Sequence, residues 1–434
     1  MSKILISGAD ILTMDGQLGL IHGADIAVEN GYIKGVVPQG ELLDWVPDRV
    51  ISAEGKVVLP GLVNTHTHAA MTLLRSYADD LPLMDWLNNK VWPFEANLTG
   101  EDVYWGSQLA CLEMIKSGTT TFADMYFFMP EVAKAVEQSG MRAVLSRGMI
   151  GIGPTADLAL VESKAFAQEW HQKGEGRITV RLGPHAPYTC PPTYLEKVLA
   201  LASELKVGIH THLAETRYEF DTCVKDYGKT PTQLMHDVGL FEHPVLAAHC
   251  VHLTDADMDI LARKNVGVAH NPGSNMKLAS GVSPVTELLK RGIAVGLGTD
   301  GAASNNNLDM FEEIRLASLL QKVHTEDPTV IPALQALEMA TVLGARAVGL
   351  EEDIGVIKSG MKADLIILNT DAAHLTPKHD IVSLLAYAAN STDVDTAIIN
   401  GKVVMENRRV LTMDEEQILW QAQKCADRLA IMQK

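Results

Sequence analysis

Eight short apolar segments, each followed by a longer stretch of helical periodicity, constrain the fold of this chain more than any other feature. The segments run from Leu62 to His66, Thr119 to Met125, Arg142 to Ser146, Ile178 to Pro184, Gly208 to His212, Val245 to His249, Gly267 to His270 and Ala294 to Gly298. A strand and helix unit repeated eight times within about 300 residues is typical of a closed parallel barrel. The sequence therefore predicts an α/β fold, a (β/α)8 barrel of the TIM type.

The two ends of the chain follow a different pattern, with short apolar or alternating segments separated by turns such as Asn30-Gly31. The same pattern returns late in the chain, for example from Ala363 to Asn369, and the residues after Met413 have helical spacing. We expect both ends to meet in one small β-sandwich of residues 1–58 and 356–434 that includes a C-terminal helix. The barrel domain is expected to span residues 59–355.

Composition excludes several classes of function. The net charge of −18 disfavours binding to nucleic acid, because an acidic surface repels phosphate. No apolar segment approaches the roughly 18 residues of a membrane span, and the start of the chain lacks a secretory signal. The five cysteines are scattered, which argues against disulfides or a thiolate metal site and favours the reducing cytoplasm.

Polar side chains follow five of the predicted strands at their carboxyl ends, where barrel enzymes place their active sites. They are His66 and His68 on the first strand, His185 on the fourth, His210, His212 and Glu215 on the fifth, His249 on the sixth and Asp300 on the eighth. Imidazoles and a carboxylate that meet at one mouth form a donor set suited to zinc or iron. The sequence therefore predicts a metal centre.

The position of His66 and His68, two residues apart on one strand, places both imidazoles on the same face. His210 shares the face of His212 but lies deeper, so core packing and support of a metal ligand both stay open. A single histidine on a strand is usually a packing residue. His270, like His252 and His324, is interpreted as structural.

The segments that carry these residues resemble the amidohydrolase superfamily over nearly the whole chain. They are Pro-Gly-Leu-Val-Asn-Thr-His-Thr-His at 60–68, His-Leu-Ala-Glu at 212–215, Ala-His-Cys at 248–250, Gly-Thr-Asp-Gly at 298–301 and the stretch 355–365. Within that superfamily the sequence is most similar to the 5-methylthioadenosine/S-adenosylhomocysteine deaminases.

The resemblance implies one divalent metal ion bound by four residues: His66, His68, His212 and Asp300. Zn²⁺ is the expected ion, with Fe²⁺ and Mn²⁺ as alternatives. Two-metal relatives commonly bridge their ions with a carboxylated lysine on the fourth strand, and residues 178–185 contain no lysine. This absence favours a single ion.

The implied reaction is hydrolytic deamination of an adenine nucleoside. By analogy with zinc deaminases, Glu215 is expected to protonate the purine ring and His249 to hold the attacking water. Asp300 is expected to carry a proton to the departing ammonia, and both carboxylates would touch the substrate.

The same resemblance gives Glu95 a contact with the ribose hydroxyls and His185 a contact with the nucleoside. Arg147 is expected near the ribose or its 5′ substituent. The apolar side chains of the loop after the first strand form either a wall for a thioether or simple packing; they are Met84, Trp86, Trp92 and Phe94.

The group on the ribose 5′ carbon distinguishes the candidate substrates. The charged tail of S-adenosylhomocysteine favours paired cations, and no second arginine follows Arg147 in the segment 148–160. We therefore expect conversion of 5′-methylthioadenosine to 5′-methylthioinosine, ahead of S-adenosylhomocysteine or adenosine. Rival predictions are a guanine, cytosine or triazine deaminase or chlorohydrolase and, more remotely, a non-enzymatic scaffold. A homo-oligomer stays open.

Overall fold

The computed structural model describes residues 2–41, 45–81 and 83–432. Its strands form two sheets. The strands are β1 (Lys3–Leu12), β2 (Leu20–Glu29), β3 (Tyr32–Pro38), β4 (Arg49–Ser52), β5 (Lys56–Pro60), β6 (Leu62–Thr67), β7 (Thr119–Tyr126), β8 (Arg142–Met149), β9 (Ile178–Pro184), β10 (Ile209–Leu213), β11 (Val245–His249), β12 (Gly267–His270), β13 (Val295–Leu297), β14 (Leu365–Asn369), β15 (Val394–Ile399), β16 (Lys402–Glu406) and β17 (Arg409–Val410).

Helices follow most of the barrel strands. The α-helices are Leu83–Trp86, Trp92–Glu95, Gly100–Lys116, Met129–Ser139, Ala156–Trp170, Lys173–Gly176, Pro192–Leu205, Arg217–Tyr227, Pro231–Asp237, Asp255–Arg263, Pro272–Lys277, Val285–Lys290, Ala302–Asn305, Met310–Thr325, Ala333–Met339, Val342–Ala347, Ile381–Tyr387 and Glu415–Ile431. Among the residues described, no helix combines the length and apolar character that crossing a membrane requires.

The central sheet contains eight parallel strands in chain order, β6 to β13. Its first and last strands meet. The Thr65 hydroxyl on β6 donates a hydrogen bond of 2.8 Å to the carbonyl oxygen of Leu297 on β13. One residue earlier, the Asn64 amide donates to Thr299 Oγ1 at 2.7 Å. The predicted barrel is confirmed, and each predicted strand overlaps an observed one.

The second sheet joins the two ends of the chain. It holds nine strands, and β5 from the first end pairs antiparallel with β14 from the last, with Pro60 opposite Leu365. This arrangement confirms a β layer built from both ends. Strand β4 was not predicted, because only Ile51 among its four residues is buried. The domain limits drawn from the sequence stay a prediction.

A buried ion pair ties the barrel to this sheet. Arg142, which begins β8, donates through Nε to Asp364 Oδ2 at 2.7 Å, and both side chains are almost fully buried. The other carboxylate oxygen accepts the backbone N–H of Asn400 at 2.7 Å. Because removing one partner would leave a buried charge unpaired, this contact constrains how the barrel and the sheet pack together.

Several barrel strands end in a sharp left-handed turn at the carboxyl mouth. The φ angles are 52° at Ala214, 74° at His249 and 61° at Asp300. This region is uncommon for residues with a side chain, and such outliers often occur at functional sites. Here the turns aim the side chains that follow the strands into the mouth of the barrel.

Candidate metal centre and active site

One cavity at the carboxyl mouth of the barrel brings most of the predicted site residues together. It is lined by His68, Met71, Trp86, Leu87, Val91, Trp92, Glu95, Met125, Tyr126, Phe127, Gly148, Ile150, His185, Tyr188, His212, Glu215, His249, Leu278, Asp300 and Ser304. His66 lies at its floor and is completely buried. The sequence predicted that polar residues at five strand ends converge, and these residues meet at this cavity.

The four predicted metal ligands meet at this floor. Asp300 Oδ1 lies 3.5 Å from His66 Nε2 and 3.3 Å from His68 Nε2. The Nε2 atoms of His68 and His212 are 3.4 Å apart. The ligand atoms form two sets that share His66, one with His68 and Asp300 and one with His212 and His249, and within each set they lie within 4.8 Å of one another.

The hydrogen bonds behind two of these imidazoles set their tautomers. His68 Nδ1 lies 2.6 Å from the carbonyl oxygen of Met125, and His212 Nδ1 lies 2.7 Å from that of His185. A carbonyl oxygen only accepts, so each Nδ1 donates a hydrogen bond and each Nε2 is left to face the centre. Both Nε2 atoms are therefore placed where a cation could bind them.

His210 supports the third imidazole. Its Nε2 lies 2.9 Å from His66 Nδ1, and its Nδ1 lies 3.4 Å from the hydroxyl oxygen of Ser146. Burial lowers the pKa of His66 to about 4 and the pKa of His210 well below its usual range, so both rings are neutral near pH 7. The alternative left open by the sequence is thus resolved in favour of contact with a predicted ligand.

The carboxylate of Asp300 is held on one side and open on the other. Its Oδ2 accepts hydrogen bonds from the hydroxyls of Ser274 at 2.7 Å and Ser304 at 2.9 Å. Its Oδ1 and His66 Nε2 are buried without a hydrogen-bond partner in the described part of the chain. Unsatisfied buried polar atoms destabilise a fold. Together with the nitrogen and oxygen donor set, they fit a divalent metal ion.

Glu215 and His249 form a second pair above this floor. Glu215 Oε2 lies 3.9 Å from His249 Nε2, and both side chains are buried. Burial raises the pKa of Glu215 above the usual range of a carboxyl group. Burial lowers the pKa of His249, but the carboxylates of Glu215, Asp300 and Glu219 and the hydrogen bond to Asn275 together more than offset this effect, and the net pKa is raised.

Asn275 orients His249 from behind. Its Oδ1 lies 2.9 Å from His249 Nδ1 and accepts the proton of that nitrogen. His249 Nε2 is therefore the ring nitrogen that faces Glu215 and the cavity. A raised pKa lets this imidazole donate a hydrogen bond at that position.

Glu95 and His185 line the cavity farther from the floor. The hydroxyl of Tyr126 donates a hydrogen bond of 2.7 Å to Glu95 Oε1, and burial raises the pKa of Glu95 to about 7. His185 Nδ1 lies 3.0 Å from Thr189 Oγ1, and burial lowers the pKa of His185 to about 4. Both residues are placed where a bound molecule would reach them.

Arg147 is not among the residues that line the cavity, and its contact with the ribose or its 5′ substituent stays a prediction. Its guanidinium pairs with Glu162 at 2.5 Å on the outer side of the barrel. Successive residues of a strand point to opposite faces, and the neighbouring Ser146 faces inward toward His210. The guanidinium carbon of Arg147 also lies 5.8 Å from the ring centroid of Phe127, which lines the cavity.

The aromatic loop after β6 contributes part of the wall. Trp86 and Trp92 line the cavity, and Trp86 is fixed by a hydrogen bond of 3.0 Å from its Nε1 to the carbonyl oxygen of Ala78. Phe94 instead packs on Tyr77 in the core, with ring centroids 4.9 Å apart. Only part of this predicted wall therefore faces the site.

Several site residues were missed by the sequence analysis. They are Tyr126, Tyr188, Ser274, Asn275 and Ser304. Tyr126 directly follows a predicted strand, which is a signal that could have been used. Ser274 and Asn275 each contact a partner 26 residues away, so no local pattern marks them, whereas Ser304 lies only four residues after Asp300.

Comparison with known proteins places the chain in a family. The model of the amidohydrolase family matches residues 57–404. A curated 5-methylthioadenosine/S-adenosylhomocysteine deaminase of Pelotomaculum thermopropionicum is 60% identical over 430 residues, which cover 99% of each chain. A protein of the same name from Desulforamulus reducens is 58% identical, with 99% of this chain and 100% of the relative covered.

A solved structure agrees with these relatives. A crystal structure described as an adenosine deaminase from Xanthomonas campestris with bound zinc superposes with a TM-score of 0.95. It is 35% identical to this chain, and the superposition covers 99% of each chain. The chain therefore belongs to the amidohydrolase family and, within it, to the 5-methylthioadenosine/S-adenosylhomocysteine deaminases.

Proposed function

We propose that this hydrolase converts 5′-methylthioadenosine to 5′-methylthioinosine and ammonia at the cavity described above. Its curated relatives are named deaminases of this nucleoside and of S-adenosylhomocysteine. The observation that carries the proposal is the arrangement of four donor atoms, with Glu215 and His249 directly above them. That arrangement combines a cation site with two groups that can exchange protons.

In this proposal one divalent ion is held by His66, His68, His212 and Asp300. When bound, such an ion acts as a Lewis acid and brings the pKa of a coordinated water to about 7. Zinc is the ion we propose, because imidazole and carboxylate suit it and the similar adenosine deaminase binds zinc. Fe²⁺ and Mn²⁺ would fit the same donors.

Two side chains are assigned to proton transfers, and a third is assigned to a hydrogen bond with the incoming oxygen. Glu215, whose pKa is raised by burial, is assigned to give a proton to a ring nitrogen of the purine as aromaticity is lost. His249 donates a hydrogen bond from Nε2 to the incoming oxygen. Asp300 is assigned to take a proton from the attacking water and to pass it to the leaving ammonia, and its position is fixed by Ser274 and Ser304.

The remaining cavity is proposed to hold the sugar and its 5′ group. Glu95 accepts hydrogen bonds from the ribose hydroxyls. His185, which directly follows β9, contacts the nucleoside. Trp86, Trp92 and Phe127 supply apolar surface. Among the described lining residues there is no lysine or arginine, which favours a neutral thioether over the charged tail of S-adenosylhomocysteine.

The rival substrates are not favoured by the named relatives. Guanine, cytosine and triazines lack a ribose, so Glu95 would have no ribose hydroxyl to bind in their complexes. A non-enzymatic scaffold has no need of four converging ligands with unsatisfied buried atoms. Both rivals can be separated from the proposal by one assay.

That assay measures ammonia release from 5′-methylthioadenosine, S-adenosylhomocysteine, adenosine, guanine and a triazine with the same metal-loaded sample. We expect the highest kcat/KM for 5′-methylthioadenosine and no turnover of the bases without ribose. Equal kcat/KM for S-adenosylhomocysteine would contradict the proposed role of the apolar wall. Preference for guanine or the triazine would overturn the substrate class.

The pKa of Glu95 predicts how binding varies with pH. This pKa is raised to about 7, so the carboxylate is ionised at pH 8 and largely protonated at pH 6. If the ionised form accepts the ribose hydroxyls, KM should rise about tenfold between pH 8 and pH 6. Glu95→Gln is the control, and its KM should be high and independent of pH. A parallel rise in the variant would exclude Glu95 as the titrating group.

A further inference from the structure

Glu219 is a buried carboxylate close to the site that the proposed reaction does not use. It lies in the first turn of the helix Arg217–Tyr227, and its side chain is almost completely buried. Among the described residues, no lysine or arginine forms an ion pair with it. A buried charge without a counterion is costly unless hydrogen bonds compensate, so its contacts indicate what it does.

Both oxygens of Glu219 accept backbone hydrogen bonds from the turn that carries Glu215. Oε1 accepts the N–H of Ala214 at 2.8 Å, and Oε2 accepts the N–H of Glu215 at 2.9 Å. These two amides come directly after β10, and Ala214 has the left-handed φ of 52°. The carboxylate thus holds the turn in a conformation that a residue with a side chain rarely adopts.

Helix capping alone does not account for this contact. In the capping boxes of Thr99 with Asp102 and Thr254 with Asp257, the acidic side chain returns to the backbone N–H of the capping threonine. Glu219 stands at the equivalent position after Thr216, whose hydroxyl accepts the N–H of Glu219 at 3.2 Å. Its carboxylate bypasses Thr216 and reaches the two residues before it.

The same turn is bound on its other side to the segment that follows His249. The carbonyl oxygen of Ala214 accepts the N–H groups of Val251 at 3.0 Å and His252 at 2.9 Å. The carbonyl oxygen of Leu213 accepts the N–H of Cys250 at 3.0 Å. Glu219 therefore holds the N–H of the peptide between Ala214 and Glu215, and the carbonyl group of the same peptide is bonded to the segment that follows His249.

We propose that Glu219 is a positioning residue that sets the distance between Glu215 and His249. This inference rests on the proposed function, in which Glu215 delivers the proton to the purine. The 3.9 Å separation of Glu215 Oε2 and His249 Nε2 depends on both turns keeping their left-handed conformation. Glu219 acts through these backbones and does not touch the substrate.

The test is Glu219→Gln in the full-length, metal-loaded protein. The glutamine amide has one accepting oxygen, and its NH₂ group would face a backbone N–H, so one of the two amides loses its acceptor. Because a misplacement of about 1 Å costs roughly 100-fold in rate, we expect kcat to fall by about that factor. KM should change less than about threefold, and the metal content should stay the same, since binding groups are not moved.

Asp393→Asn is the matched control. Asp393 is also a buried carboxylate, and it accepts the backbone N–H of Asn390 at 2.9 Å in the short 3-10 helix that precedes β15. Its substitution should lower Tm without changing kcat. If Glu219→Gln does not fold, Glu219→Asp keeps the charge but shortens the reach, and its kcat should fall about tenfold.

Glu215→Gln, assayed in parallel, separates this inference from the proposed function. If Glu215→Gln is inactive while Glu219→Gln keeps a kcat within twofold of the unmodified protein, the positioning role is wrong and the proposed function stands. If Glu215→Gln stays active, the proposed function fails first. A loss of metal from Glu219→Gln in proportion to its activity would also overturn the positioning role.

Discussion

Replacement of Glu215 by glutamine is expected to lower kcat by about 10³-fold or more while the protein keeps its metal. Glutamine has nearly the same shape but cannot donate an acidic proton to the purine ring, and general acid catalysis contributes about 10² to 10⁴ in rate. Glu215 is in neither of the two sets of ligand atoms that lie close together at the cavity floor. Steady-state kinetics and metal analysis of the same preparation measure both effects.

The matched control for this variant is Glu162→Gln. Glu162 is half-exposed, pairs with Arg147 on the outer side of the barrel and does not line the cavity. Its kcat and KM should equal those of the unmodified protein. Ordinary turnover by Glu215→Gln would remove this residue from the reaction, and a large effect at Glu162 would restore Arg147 as a substrate contact.

Removal of the metal is expected to abolish deamination, with a loss of at least about 10³-fold, and zinc should restore it. The buried Oδ1 of Asp300 and Nε2 of His66 lack partners among the described residues, so an empty centre also leaves the fold less stable. Activity and Tm should therefore fall together on chelation and recover together on addition of zinc. Full activity in a sample free of metal would contradict the assignment of the centre.

His210→Phe provides a graded version of that experiment. This change leaves all four ligands in place but removes the acceptor 2.9 Å from His66 Nδ1. Groups that orient a metal ligand from behind typically contribute 10- to 100-fold in metal affinity. We expect a weakening of about that size in a competition titration with a chelator. Unchanged affinity would show that His210 is only a packing residue.

The barrel could be predicted from the sequence because strand and helix periodicities are local properties of the chain. Each apolar strand segment recurs at a spacing that a parallel sheet requires, and the polar residues lie at the strand ends. Strand β4 escaped prediction because one buried residue in four gives no periodic signal. It is held by its pairing with β1, which is a tertiary contact.

The side chains that would hold the metal were placed by the same local logic, but those that support them were not. Ser274 reaches Asp300 and Asn275 reaches His249 across different strand ends. The contact of Arg147 with a substrate stays a prediction, because the direction of a strand residue depends on the register of the strand, which one residue reverses. The role of Glu219 was not predicted because it depends on a left-handed turn at Ala214, and the residue types in that segment do not predict such a turn.

The measurement that tests the central claim most directly is product analysis after incubation of the zinc-loaded protein with 5′-methylthioadenosine. Mass spectrometry of the nucleoside and a parallel assay of ammonia identify the bond that breaks. The account predicts 5′-methylthioinosine and ammonia in equal amounts, formed only when the metal is present. Unchanged 5′-methylthioadenosine, or a product in which the glycosidic bond rather than the amine is cleaved, would contradict it.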